Sequence, residues 1–182
     1  MKYRSTNRRV RDKTFKEVLF EGLASDGGLY MPEFFPAVSK EFLQELPKKS
    51  FAEIALEISK LFIDDIPEAE LKKIIEDAFN SEAFGGLGEG FPTPLVKIGD
   101  KLYVEELWHG PTLAFKDFGA RFMSRMMGYY IKQGNKNYSD ARHLAGFGAS
   151  ELKIVVATSG DTGSAVAAGF YNVPNIKVYI LY

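Results

Sequence analysis

Two stretches of this sequence hold residue types that could do chemistry. The first is Glu106-Leu-Trp-His-Gly-Pro-Thr-Leu-Ala-Phe-Lys-Asp117. Its Lys116 falls where a loop gives way to a predicted helix, near the positive end of the backbone dipole. That dipole and partial burial both disfavour the ammonium form. A lysine held in this way suits Schiff-base chemistry with a carbonyl compound. The plainer alternative, an ordinary lysine in a first helical turn, is the stronger reading on local physics alone. Asp117 is favourable at a helix start whatever else it does.

The second stretch is Ala157-Thr-Ser-Gly-Asp-Thr-Gly-Ser164, which joins a predicted strand to a predicted helix. Hydroxyls and free backbone N–H groups at a helix N-terminus make a cradle for a phosphate or a carboxylate. Ligands of α/β sheets bind beyond the carboxyl ends of strands, which is where this loop lies. An ordinary capped turn accounts for it equally well. Other chemistries find no support. There is no G-x-x-x-x-G-K-[ST] loop, no G-x-S-x-G elbow and no G-x-G-x-x-G opening a helix. His109 and His143 belong to no metal-ligand pattern, and the absence of cysteine removes thiolate sites, disulfides and a cysteine nucleophile together.

The elements that must position these stretches follow from periodicity. Thr14 with Glu17, and Ser50 with Glu53, have capping-box spacing, and each precedes an apolar stripe of helical period. Ser39 caps a short helix carrying Phe42, Leu43 and Leu46. Pro67 suits the first turn of a helix striped by Leu71, Ile74, Ile75, Ala78 and Phe79. Ala24 to Pro32 reads as a turn, with Gly27 and Gly28 supplying positive φ and Pro32 ending it. Four glycines between Gly85 and Gly90 mark a linker. Leu95–Ile98 and Lys101–Leu107 form a hairpin around Gly99-Asp100. A long, largely buried helix runs from about Lys116 to Gln133, stopped by Gly134. Residues 135–150 are a polar connection. Leu152–Ala157, Gly163–Tyr171 and Ile176–Tyr182 then make strand, helix and strand, a βαβ unit that requires a parallel sheet.

Composition bounds the class. With 182 residues, 46% of them hydrophobic and 26% charged, the chain is an ordinary globular mixture. A net charge of −1 argues against a general nucleic-acid binder. Seven basic groups in residues 1–16 read more simply as a solvated strand and helix start than as a nucleic-acid arm. No run of roughly 18 apolar residues is present to span a bilayer, and the charged start lacks the apolar stretch of a signal peptide. A cytoplasmic location is the expectation. A parallel sheet of two or three buried-type strands would leave apolar faces in water, so the chain is expected to be the N-terminal part of a longer protein.

Together these motifs resemble a known family. Glu106-x5-Thr-Leu-Ala-Phe-Lys-Asp117 is similar to the pyridoxal-phosphate attachment pattern of serine/threonine dehydratase-type enzymes. The longer string from His109 to Met123 resembles threonine synthases more narrowly. Thr158-Ser-Gly-Asp-Thr-Gly-Ser-Ala165, Tyr3-Arg-Ser-Thr6, Ala24 to Pro32 and, more weakly, Phe91-Pro-Thr-Pro-Leu95 match further motifs in the same order. The resemblance implies an α/β protein. A helical N-terminal domain, residues 1–90, would be followed over 91–182 by the start of a three-layer α/β/α fold-type II core, incomplete at its C-terminus.

It implies pyridoxal 5'-phosphate as cofactor, with Lys116 joined to it by a Schiff base and afterwards shuttling protons. Asp161 would face the cofactor's phenolic oxygen. Thr158, Ser159, Gly160 and Thr162 would hold the substrate carboxylate. The implied reaction converts O-phospho-L-homoserine and water to L-threonine and phosphate, the last step of threonine biosynthesis. It implies no metal and no nucleic-acid or membrane partner, and leaves an oligomer open. The glycine-rich loop that grips the cofactor phosphate in that family has no counterpart here, so the chain alone is expected to be inactive. The alternatives are a threonine-synthase-like phospholyase and a non-catalytic interaction module.

Overall fold

Short polar side chains set where the first helices begin. In the computed structural model, which describes residues 1–85, 91–134 and 151–181, Thr14 precedes helix α1 (Phe15–Glu21) and Ser50 precedes α3 (Phe51–Phe62). Both make the reciprocal capping box. The Glu17 and Glu53 amides donate to the Thr14 and Ser50 hydroxyls, and each glutamate carboxylate accepts from its capping residue's amide, at 2.8 and 2.7 Å. Ser39 accepts from the Phe42 amide ahead of α2 (Lys40–Glu45). The carbonyl of Pro67 accepts from Glu70 and Leu71, so the proline immediately precedes α4 (Glu68–Ala78).

The chain divides between Ile75 and Glu76, inside α4. In the first unit, strand β1 (Tyr3–Ser5) pairs antiparallel with β2 (Tyr30–Pro32), placing Arg4 opposite Met31. Two motifs 18 or more residues apart in sequence thus form one structure. Asp26 ties them together. Its carboxylate accepts from the Ser5 hydroxyl at 2.6 Å and from the Arg9 and Gly28 amides, and Thr6 exchanges bonds with Leu29.

Here the structure departs from the turn expected over Ala24–Pro32. Gly27 has φ +80°, but Gly28 does not take positive φ. A Cβ on Gly28 would stand 2.9 Å from the Thr6 hydroxyl oxygen and 3.0 Å from the Asn7 amide nitrogen, so close approach is what excludes a side chain there. Pro32 does not end the turn; it closes β2, where the missing amide is tolerated at a strand terminus. The Tyr3 hydroxyl donates to the Phe62 carbonyl at the end of α3. Burial, then Asp64 and Asp65, push that phenol up to about 12.

In the second unit, β3 (Leu95–Lys97) and β4 (Tyr103–Glu105) form the expected hairpin, with Val96 opposite Val104. Its connection is wider than Gly99-Asp100, because Ile98 and Gly99 both donate to the Leu102 carbonyl. Helix α5 spans Lys116–Gly134, and α6 spans Asp161–Phe170 between strands β5 (Leu152–Ala157) and β6 (Ile176–Leu181). The strands pair in parallel, Leu152 with Ile176 through Ala157 with Leu181. The structure thus has the α/β class and the βαβ unit expected from the sequence. One face of this pair leaves Val155, Tyr179 and Leu181 exposed. The linker and polar connection expected at 86–90 and 135–150 lie outside the described residues, as does Tyr182. No helix among the described residues is long and apolar enough to cross a membrane.

Helices α5 and α6 pack closely because small residues meet between them. A Cβ on Gly169 would stand 2.9 Å from the carbonyl carbon of Ala120 and 3.0 Å from its oxygen. Buried Met126, Met127, Tyr130, Ala165, Val166 and Phe170 fill the rest of this core. Two arginines of α5 serve helix ends. Arg121 donates to the Ala78 carbonyl at 2.7 Å and the Asp77 carbonyl at 3.0 Å, satisfying acceptors that the end of α4 leaves open. Arg125 donates to the Gly169 carbonyl and to the Asp77 carboxylate.

Candidate functional site

The amine singled out by sequence sits at the very start of α5. The loop ahead of it is built around the next residue. Asp117 is fully buried, and its carboxylate accepts from the Thr112 amide at 2.9 Å, the Thr112 hydroxyl at 2.8 Å and the Ala114 amide at 3.5 Å. Leu113, between these donors, takes φ +58°, a left-handed conformation that costs a non-glycine residue about 1 kcal/mol or more. Gly110 leaves no room for a side chain: a Cβ there would lie 2.5 Å from Asp117 Oδ2. Behind the loop, Phe118 packs on Phe84 with ring centroids 4.6 Å apart, and Phe79 contacts both rings. Lys116 Nζ lies 4.1 Å from the centroid of the Phe115 ring, within cation–π range.

Lys116 lines a cleft of about 550 Å³ between the N-terminal halves of α5 and α6. Its walls are Leu107, Phe115, Phe118, Gly119, Ala120 and Met123 on one side and Thr162 and Val166 on the other. The volume falls within the range of small-molecule sites, and the lining residues are apolar apart from Lys116 and Thr162. Residues 46 apart in sequence, Lys116 and Thr162, therefore share one cavity.

The rest of the second motif stands outside the cleft wall, at the start of α6. Asp161 begins the helix and is exposed, as are Ser159 and Gly160, while Thr158 is half-buried. No side chain caps this helix. Gly160 stands at the cap with φ −147°, and its own amide donates to the Thr158 hydroxyl at 3.3 Å. The structure thus brings Thr162 to Lys116 and leaves the preceding hydroxyls and amides at the helix mouth.

Beside the cleft, Glu106 and His109 form a pair, Oε2 to Nε2 at 2.7 Å, and His109 stacks on Trp108. Sequence reasoning assigned neither a partner; their i, i+3 spacing is the signal that could have paired them. It likewise gave Asp117 little weight. Gly110, which has no room for a side chain, and the hydroxyl at Thr112 are the clues, though they become legible only once the loop is folded. Burial pushes the Arg121 guanidinium below its ordinary value, and Arg125 acts in the same sense. Asp77, Asp117 and Glu82 oppose them.

A lysine-bearing helix packed on a parallel βαβ unit, with a cleft at the helix starts, is the layout of an α/β ligand site. The comparisons agree with this class. The family model described as the threonine synthase N terminus matches residues 2–79. Over 99% of its length the chain is 38% identical to the threonine synthase of Eremothecium gossypii, of which it covers 35%. It is 35% identical over its whole length to threonine synthase-like 2 of Xenopus laevis, again covering 35%. Among solved structures, the PLP-bound threonine synthase from Brucella melitensis matches with a TM-score of 0.84 at 35% identity, over 99% of this chain and 35% of that one. The chain is similar in sequence and structure to threonine synthases and spans about a third of the length of those it matches.

Proposed function

We propose that this chain supplies the lysine-bearing part of a threonine synthase, an enzyme that converts O-phospho-L-homoserine and water to L-threonine and phosphate. The observation that carries the reading is the shared cleft. Lys116 and Thr162, drawn from two motifs that match the family, line one apolar cavity. Pyridoxal 5'-phosphate fits the donor set present there. An aldehyde needs an amine to condense with, and Lys116 is the one amine-bearing residue in the cleft wall among the described residues. When bound, the cofactor supplies a carbonyl for that amine and an electron sink for charge developing beside it.

The chain's own residues then have distinct tasks. Lys116 holds the cofactor and moves protons at the α and β carbons of the substrate. Thr162, with the hydroxyls of Thr158 and Ser159 and the backbone at Gly160, binds the substrate carboxylate. The backbone amides at a helix start favour an anion there. Asp161 would face the cofactor's phenolic oxygen. The apolar walls exclude water while the proton is on Lys116. Among the described residues the cleft wall offers a single cationic residue for two phosphate esters, one on the cofactor and one on the substrate. We therefore expect this chain to be inactive without further cationic or amide groups supplied from outside its described residues.

Product analysis tests the reading. The intact protein that carries this chain, loaded with cofactor and given O-phospho-L-homoserine, is expected to release phosphate and threonine in equal amounts. Phosphate with stoichiometric ammonia and no threonine rejects the synthase in favour of a phospholyase.

A further inference from the structure

Asp117 is the deeply buried acid beside the cleft that the proposed chemistry does not use. It is not an ion-pair partner in the ordinary sense. Among the described residues its carboxylate accepts three hydrogen bonds, all from the loop that delivers Lys116: two from backbone amides and one from the Thr112 hydroxyl. Arg121, one turn further along α5, feels its charge, but that guanidinium is hydrogen-bonded to the end of α4. A buried carboxylate is costly unless its lone pairs are filled, so the geometry of residues 112–114 is dictated by the need to fill them. Leu113 is driven to φ +58° in consequence, and Gly110 is pressed against the acid with no room for a methyl group.

From this geometry we infer that Asp117 is a positioning residue for Lys116. It fixes the loop Gly110–Phe115 so that the neighbouring amine leaves the backbone toward the cleft shared with Thr162. Asp117 touches neither cofactor nor substrate and acts through the residue before it. The inference rests on the reading of Lys116 as the Schiff-base lysine. The lever is directional: consecutive residues at a helix start point apart. Anchoring Asp117 inward, against the loop, therefore sets the direction of Lys116.

Borohydride trapping of the intact protein with pyridoxal 5'-phosphate, followed by peptide mapping, reads this directly. Labelling at Lys116 is referred to labelling of surface lysines in the same sample, on protein shown to be folded by circular dichroism. Asp117→Ala is expected to slow labelling at Lys116 by about 10- to 100-fold, the loss expected for a reacting group displaced by about 1 Å. Asp117→Asn keeps an acceptor for the two amides and can exchange a bond with the Thr112 hydroxyl, so it is expected to restore most of the rate. If Asp117→Ala does not fold, Thr112→Val decides. It keeps shape, deletes one bond to the acid, and is expected to slow labelling in the same direction.

Wild-type labelling at Lys116 with unchanged rates in Asp117→Ala or, where that does not fold, in Thr112→Val overturns the positioning role and leaves the proposed function standing. A slow Asp117→Asn overturns it too, because the charge rather than the loop geometry would then be what matters. Wild-type protein that takes no label at Lys116 rejects the functional reading, and this inference with it.

Discussion

Substituting Gly169 by alanine separates close helix packing from helix propensity, which act in opposite directions at this site. An alanine in a helix gains up to about 1 kcal/mol over glycine. At Gly169, however, the new Cβ would meet the backbone of Ala120 at 2.9 and 3.0 Å and its Cβ at 3.1 Å. Non-bonded carbons prefer about 3.5–4.0 Å, so α5 and α6 must part by several tenths of an ångström. Backbone cannot swing aside as a side-chain tip can. Overpacking of this kind costs about 1–3 kcal/mol, enough to exceed the propensity gain.

Gly169→Ala is therefore expected to destabilise by about 1–2 kcal/mol. Gly119 provides the control. It lies in α5, and a Cβ there meets nothing within 4 Å. Gly119→Ala is expected to stabilise, by up to about 1 kcal/mol. Urea unfolding of the intact protein, followed by circular dichroism, measures both. Equal stabilisation by the two substitutions would refute the close packing of α5 on α6.

Removing either capping side chain, as Thr14→Ala or Ser50→Ala, is expected to cost about 1 kcal/mol in the same urea assay. Arg121→Met leaves the buried Ala78 carbonyl and the part-buried Asp77 carbonyl without this donor and is expected to cost about 1–3 kcal/mol. Arg121→Lys is expected to recover only part of this, since one ammonium cannot span the Ala78 and Asp77 carbonyls as the guanidinium does. Glu17 is held below its ordinary 4.5 first by the Thr14 amide, then by the Thr14 hydroxyl and Lys13, against an opposing effect of burial. A carboxyl depressed by folding contributes stability that is present above its unfolded value and lost as pH falls through its folded one. Stability is thus expected to decline below about pH 4.5, and Glu17→Gln, which keeps an acceptor but does not titrate, is expected to flatten that decline.

What could be read from the sequence is what depends on neighbours along the chain. Thr14 with Glu17 and Ser50 with Glu53 lie three residues apart, and both helices start where that spacing says. The run from Leu152 to Ala157, the small-residue helix and the strand from Ile176 are likewise local patterns, and together they compel a parallel pair. Contacts between distant segments were not legible. Gly28 looked like a residue needed for positive φ, whereas its constraint comes from Thr6 and Asn7, some twenty residues earlier. Nothing along the chain marked Arg121 for its role, in which its guanidinium closes the end of α4, 43 residues away.

The candidate site divides in the same way. Lys116 and the loop to Ser164 could be named from their residue types, but nothing in their spacing said that Thr162, rather than Ser159 or Asp161, would share the cavity with the amine. Asp117 was legible as a helix-start acid, not as the centre about which the lysine loop folds. That role exists only when Gly110, Thr112 and Ala114 come together in space.

The most direct test of the account is the identity of the lysine that pyridoxal 5'-phosphate modifies. Reduction of the loaded intact protein with borohydride, digestion and mass mapping should place the label on the peptide containing Lys116, and the visible absorbance of the loaded protein should be lost in Lys116→Ala. A label on another lysine, or loaded Lys116→Ala protein with undiminished absorbance, contradicts it.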